Sequence, residues 1–63
     1  MFMPVVEIQM WTGRSTEQKR VLAEMITKAF ETAAGVPPEA THIIFRDIDK
    51  SDWSIGGKLC SDQ

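Results

Sequence analysis

The run Thr16–Ala34 constrains the fold more than any other stretch, because it is helix-patterned and punctuated at both ends. Val21, Leu22, Met25, Ile26, Ala29, Phe30 and Ala33 recur at helical spacing and form one apolar stripe. Lys19, Arg20, Glu24, Lys28 and Glu31 populate the other side, with Glu24 and Lys28 four apart in the order that favours an ion pair. Ser15-Thr16-Glu17-Gln18 fits a capping box, in which the Ser15 hydroxyl accepts from the Gln18 N–H and the Gln18 side chain reaches back. Gly35 suits a left-handed stop, and Pro37 and Pro38 prevent continuation.

A helix so bounded leaves two short extended runs on either side of it. Residues 5–10 alternate, with Val6, Ile8 and Met10 on one face and Val5, Glu7 and Gln9 on the other, the period of a half-buried strand. Pro4 can open that strand, since a first residue need not donate to the ladder. Residues 41–48 carry apolar side chains on both faces: Ile43 and Phe45 on one, Ile44 with His42 and Arg46 on the other. A strand buried on both sides is expected. Strand, helix and strand make a right-handed unit with parallel strands. A polar loop at residues 49–52 follows, and then a small hairpin over residues 53–60 that turns on Gly56-Gly57. The class is α+β: one β-α-β unit with a C-terminal β-hairpin, a single domain over residues 1–63 with residues 1–3 as an extension before Pro4.

Sixty-three residues make a marginal domain, burying only about 60% of the unfolded surface. One cysteine, Cys60, and one histidine, His42, provide neither a disulfide framework nor a metal-ligand cluster. A two-stranded sheet under one helix leaves its other face bare, so the fold is expected to be completed by oligomerisation. A net charge of −2 argues against nucleic acid as a partner. No apolar run approaches the length of a membrane span and no signal peptide precedes the first strand, so a reduced, cytoplasmic setting is expected.

Few residues carry chemistry. If translation begins at Met3, removal of that methionine leaves Pro4 as a terminal secondary amine, a ready general base. Cys60 has no activating partner and reads as a small buried side chain. The run 54–58 lacks the spacing and the strand-to-helix context of a phosphate-binding loop.

The ordered set of Met3-Pro4, a strand, Gly13-Arg14-Ser15, Glu17-Gln18-Lys19, a helix, a strand and Ile55-Gly56-Gly57 resembles the 4-oxalocrotonate tautomerase family, from Pro4 to about Ser61 without gaps. The resemblance implies a β-α-β fold with a hairpin and a homohexamer built as a trimer of dimers, with a dimer as the smaller alternative. It implies cofactor- and metal-independent keto–enol tautomerisation of small 2-oxo and 2-hydroxy acids. In that reading Pro4 is the base, Arg14 binds a substrate carboxylate in a neighbouring subunit's pocket, and Trp53 is an aromatic wall set by the Gly-Gly turn.

Two departures from the family pattern are visible. His42 stands where well-studied members carry a second arginine that binds substrate. Arg46 shares its strand face and is a further candidate contact, but four residues of strand put it about 13 Å away, and an ion-pair or interface role competes. Three residues also precede Pro4, so the base exists only in a chain that starts there. Within the family, a hydratase or dehalogenase with Glu7 or Asp47 activating water is an alternative. Outside catalysis, the alternative is an oligomeric structural or ligand-binding subunit with Pro4 blocked by Met1-Phe2-Met3.

Overall fold

The structure, a computed structural model, describes residues 3–63; the Met1 and Phe2 part of the N-terminal extension lies outside the described residues. Strand β1 (Val5–Trp11) leads into helix α1 (Thr16–Ala34) and returns through strand β2 (His42–Ile48). The two strands pair in parallel with Val5 opposite His42 and Trp11 opposite Ile48. Two-residue strands β3 (Ser54–Ile55) and β4 (Lys58–Leu59) form an antiparallel hairpin across Gly56 and Gly57, both at positive φ. The fold class expected from the sequence is the one found. Both strands begin one residue later than expected, and β1 runs one residue further, to Trp11.

The helix ends follow their local chemistry. Ser15 accepts from the Gln18 N–H at 3.1 Å while the Gln18 side chain accepts from the Ser15 N–H at 3.0 Å, so the capping box is complete. Gly35 adopts φ 66°, a left-handed stop that lets its N–H reach the Glu31 carbonyl at 3.1 Å. Lys28 pairs with Glu31 at 3.4 Å, not with Glu24 as the spacing suggested; both groups are solvated, so three- and four-residue partners compete on nearly equal terms.

The helix covers one face of the sheet. Val6, Ile8 and Met10 of β1 and Ile43 and Phe45 of β2 are half-buried, as are Ala23, Ile26, Thr27 and Phe30 of α1. Lys19 and Asp47 close this layer with an ion pair at 2.6 Å between helix and β2. The expected apolar stripe is thus corrected: Ile26 and Phe30 face inward, while Val21, Leu22 and Met25 are exposed, Met25 by 66%. Strand β2 is likewise covered on one face only, since His42, Ile44 and Arg46 are all exposed. Among the described residues there is one α-helix, and therefore one cover.

Among the described residues only Val36, Ala40 and Cys60 are buried apolar residues. The accessible surface is 4760 Å², against about 4,100 Å² for a compact monomer of this mass. The radius of gyration is 14.9 Å, where a compact chain of this length has about 11 Å. Among the described residues no helix is long and apolar enough to cross a membrane.

Candidate active site

The parallel register distributes the candidate residues between the two ends of one sheet. At the starting end, Pro4 is half-buried ahead of β1. Its carbonyl accepts from the His42 N–H at 3.0 Å, which ties it to the first residue of β2. Pro4 and His42 are therefore neighbours, and the His42 side chain lies exposed on the sheet face that the helix does not cover.

The other end gathers cations and aromatics. Trp11 closes β1, Thr12 and Gly13 turn the chain, and Arg14 immediately precedes the Ser15 cap. Gly13 has φ 123°, a backbone setting that a side chain would strain. The Thr12 N–H donates to the Ile48 carbonyl at 3.1 Å and its hydroxyl to Asp49 at 3.3 Å, extending the sheet into the turn.

Trp53 meets Trp11 edge to face, with ring centroids 5.8 Å apart and planes at 74°. The Lys50 ammonium lies 4.8 Å from the Trp11 ring centroid, within cation–π range. The Trp53 backbone fixes this corner, donating to the Lys50 carbonyl at 3.3 Å and accepting from the Cys60 N–H at 2.8 Å. Met10, Trp11, Thr12, Gly13, Arg14 and Lys50 line a cavity of about 380 Å³. Arg14 also borders an apolar hollow with Val21 and Leu22. Sequence reasoning missed Trp11 and Lys50. The available signal was a large aromatic at a strand end, on the outward parity of Val5, Glu7 and Gln9.

Six strand rises of about 3.3 Å separate Val5 from Trp11, so the Pro4 end and the Arg14 end lie about 20 Å apart. One chain brings Pro4 to His42 and Arg14 to a cavity shared with Trp11 and Lys50, but it does not bring Pro4 to Arg14. Arg46 belongs to neither cluster. It pairs with Glu7 at 3.3 Å on the uncovered sheet face. That hydrogen bond, helped by one from Gln9 and by the charge of Arg46, holds the Glu7 carboxyl below its ordinary range. Among the described residues, no group of three His, Cys, Asp or Glu side chains is placed to hold a metal ion.

Comparison with known proteins gives a consistent result. A family model described as "Tautomerase enzyme" matches residues 4–63. A probable tautomerase of Halalkalibacterium halodurans is 38% identical over 61 residues, covering 97% of this chain and 100% of the relative. The 2-hydroxymuconate tautomerase of Comamonas testosteroni is 38% identical over 55 residues, 87% of each chain. Among solved structures, YwhB, a homologue of 4-oxalocrotonate tautomerase, superposes with a TM-score of 0.90 at 33% identity, over 95% of this chain and 98% of its own. A heterohexameric 4-oxalocrotonate tautomerase from Chloroflexus aurantiacus gives 0.87, again at 33% identity, over 95% and 97%.

Proposed function

This chain belongs to the tautomerase family, and on that premise we propose that it interconverts enol and keto forms of small 2-oxo or 2-hydroxy acids with the Pro4 amine as general base. The observation that carries the reading is the family match opening on residue 4, the half-buried residue at the head of β1. The active species is then a chain that begins at Pro4, its nitrogen a secondary amine and not an amide.

Such an amine suits the reaction. A terminal amine has an ordinary pKa of about 8, and partial burial favours its neutral, proton-accepting form. It lifts a proton from the enol oxygen or from carbon and returns it at the other end of the conjugated system. Arg14 holds the substrate carboxylate with two parallel N–H donors and stabilises charge as it develops on oxygen. His42, beside Pro4, donates a hydrogen bond where other members of the family use an arginine. Trp53, backed by Trp11, walls the site against water.

The separation of about 20 Å between Pro4 and Arg14 supports a site completed by a second copy, whose Arg14 end meets the Pro4 end of the first. The uncovered sheet face, with Val5 58% and Ile44 46% exposed, supports the same conclusion. The assembly is proposed as a homohexamer, a trimer of dimers.

The test uses phenylenolpyruvate and a chain beginning at Pro4, with ketonisation followed by ultraviolet absorbance. We expect turnover that falls by about a hundredfold or more in Pro4→Ala, in line with the usual contribution of general base catalysis. Undiminished turnover in Pro4→Ala overturns the assignment. No turnover by the unaltered chain favours a non-catalytic subunit.

A further inference from the structure

Of the three cations without ion-pair partners among the described residues, Arg14 and Lys50 line the same cavity, while Lys58 lies on β4 outside that lining. Lys19, Arg20, Lys28 and Arg46 are each matched to a carboxylate. An acidic side chain also stands at the rim: Asp49 precedes Lys50 in sequence, yet its carboxylate accepts from the Thr12 hydroxyl and makes no ion pair with either cation. The cavity thus offers two separate positive groups and leaves both for a ligand.

The placement of Lys50 is specific. A solvated lysine samples many rotamers, but this ammonium lies on the Trp11 ring at 4.8 Å, and Trp53 packs against the same ring. The backbone bond from the Trp53 N–H to the Lys50 carbonyl holds the turn that presents it. An aromatic face attracts an ammonium without neutralising it, so the charge stays available to an anion while its position is narrowed.

We infer that Lys50 is a second anion-binding residue of the Arg14 cavity, poised on Trp11 to take the far carboxylate of a dicarboxylate substrate. The inference rests on the reading of Arg14 as the carboxylate grip. It assigns the second charge of the substrate to a residue of the loop after β2, where His42 is shorter than an arginine and sits at the opposite end of its own sheet.

A matched pair of unreactive ligands tests it: hexa-2,4-dienedioate and hexa-2,4-dienoate, the same conjugated chain with two carboxylates and with one. Dissociation constants are measured by calorimetry on the full assembled protein, with tryptophan emission as a second readout of the Trp11 environment. We expect the diacid to bind about tenfold more tightly than the monoacid, a modest value for one charge-assisted contact in a solvent-open cavity. Lys50→Met should bring that ratio to about one with little change for the monoacid, and Lys50→Arg should preserve it. An equal affinity for both acids, or a preference that survives Lys50→Met in a protein with an unchanged circular dichroism spectrum, overturns the role of Lys50.

The Arg14→Met variant separates this from the underlying reading. Loss of monoacid binding there keeps Arg14 as the grip whatever Lys50 does, and unchanged monoacid binding removes the grip and the inference together. Enol turnover by the unaltered chain, assayed in parallel, stands or falls on Pro4 and is independent of the ratio.

Discussion

The Ser15 cap joins stability to the site, because Arg14 is the residue immediately before it. Ser15→Ala deletes the oxygen that satisfies the Gln18 N–H at 3.1 Å but leaves the reciprocal bond from the Ser15 N–H to the Gln18 side chain available. Loss of a serine N-cap costs about 1 kcal/mol, within a range of about 0.5–2. Unfolding entropy of about 2.1 cal/mol/K per residue gives a chain of this length about 0.13 kcal/mol/K. The cost per chain therefore converts to a fall in Tm of about 8 °C. In an assembly every chain carries the same loss and the same entropy, so the ratio holds at fixed protein concentration.

Differential scanning calorimetry reads the fall directly. Gln18→Ala should lower Tm by less, because the Ser15 hydroxyl keeps its acceptor role toward the residue 18 N–H. The double variant should exceed either single one. Freed of its anchor, the turn at residues 12–14 should also hold Arg14 less firmly, raising KM for phenylenolpyruvate a few-fold. A Tm change below about 2 °C for Ser15→Ala, or a larger fall for Gln18→Ala, would refute the reasoning.

Three further outcomes are expected. Arg14→Met should lower kcat/KM by about tenfold to a hundredfold, the range of one charge-assisted bidentate contact, and Arg14→Lys should recover only part of it; steady-state kinetics decide. Ile44→Lys, which puts a charge on the bare sheet face, should shift the assembly to smaller species in sedimentation velocity. Glu7 has a folded-state pKa below its ordinary 4.5 because Arg46 and Gln9 hydrogen-bond to it. Its contribution to stability is present above about pH 4.5 and is lost as pH falls through the lower folded value. Melting curves taken downward from about pH 5 should show that loss in the unaltered protein and a shallower slope in Glu7→Gln.

Local rules carried most of the architecture. The capping box at Ser15 and Gln18, the left-handed Gly35 and the Gly56-Gly57 turn are each fixed by neighbours a few residues away, so they can be read from the sequence directly. The parallel pairing follows from a single helix between two strands. What could not be read is which apolar side of the helix the chain covers itself. A 3.6-residue period marks residues that avoid water, and it is silent on what covers them. Val21, Leu22 and Met25 satisfy the period as well as Ile26 and Phe30 do, yet they remain exposed.

The candidate site shows the same divide. Pro4, Arg14 and Trp53 stand out as candidates through ordered motifs. The Trp11–Trp53 contact and the Lys50 placement join residues about forty apart, brought together by the register that sets Trp11 opposite Ile48. No local pattern encodes such a meeting.

The wide spacing of the two ends has a consequence for inheritance. If each site draws its amine from one chain and its guanidinium from another, an allele damaged at Pro4 and an allele damaged at Arg14 are not equivalent lesions. Co-expressed in one cell, they would assemble mixed particles in which some sites receive both intact halves, so each allele would partly rescue the other. Duplicated genes could then drift in opposite directions, one keeping a sound strand head and the other a sound turn. Neither copy would be dispensable, although neither would work by itself.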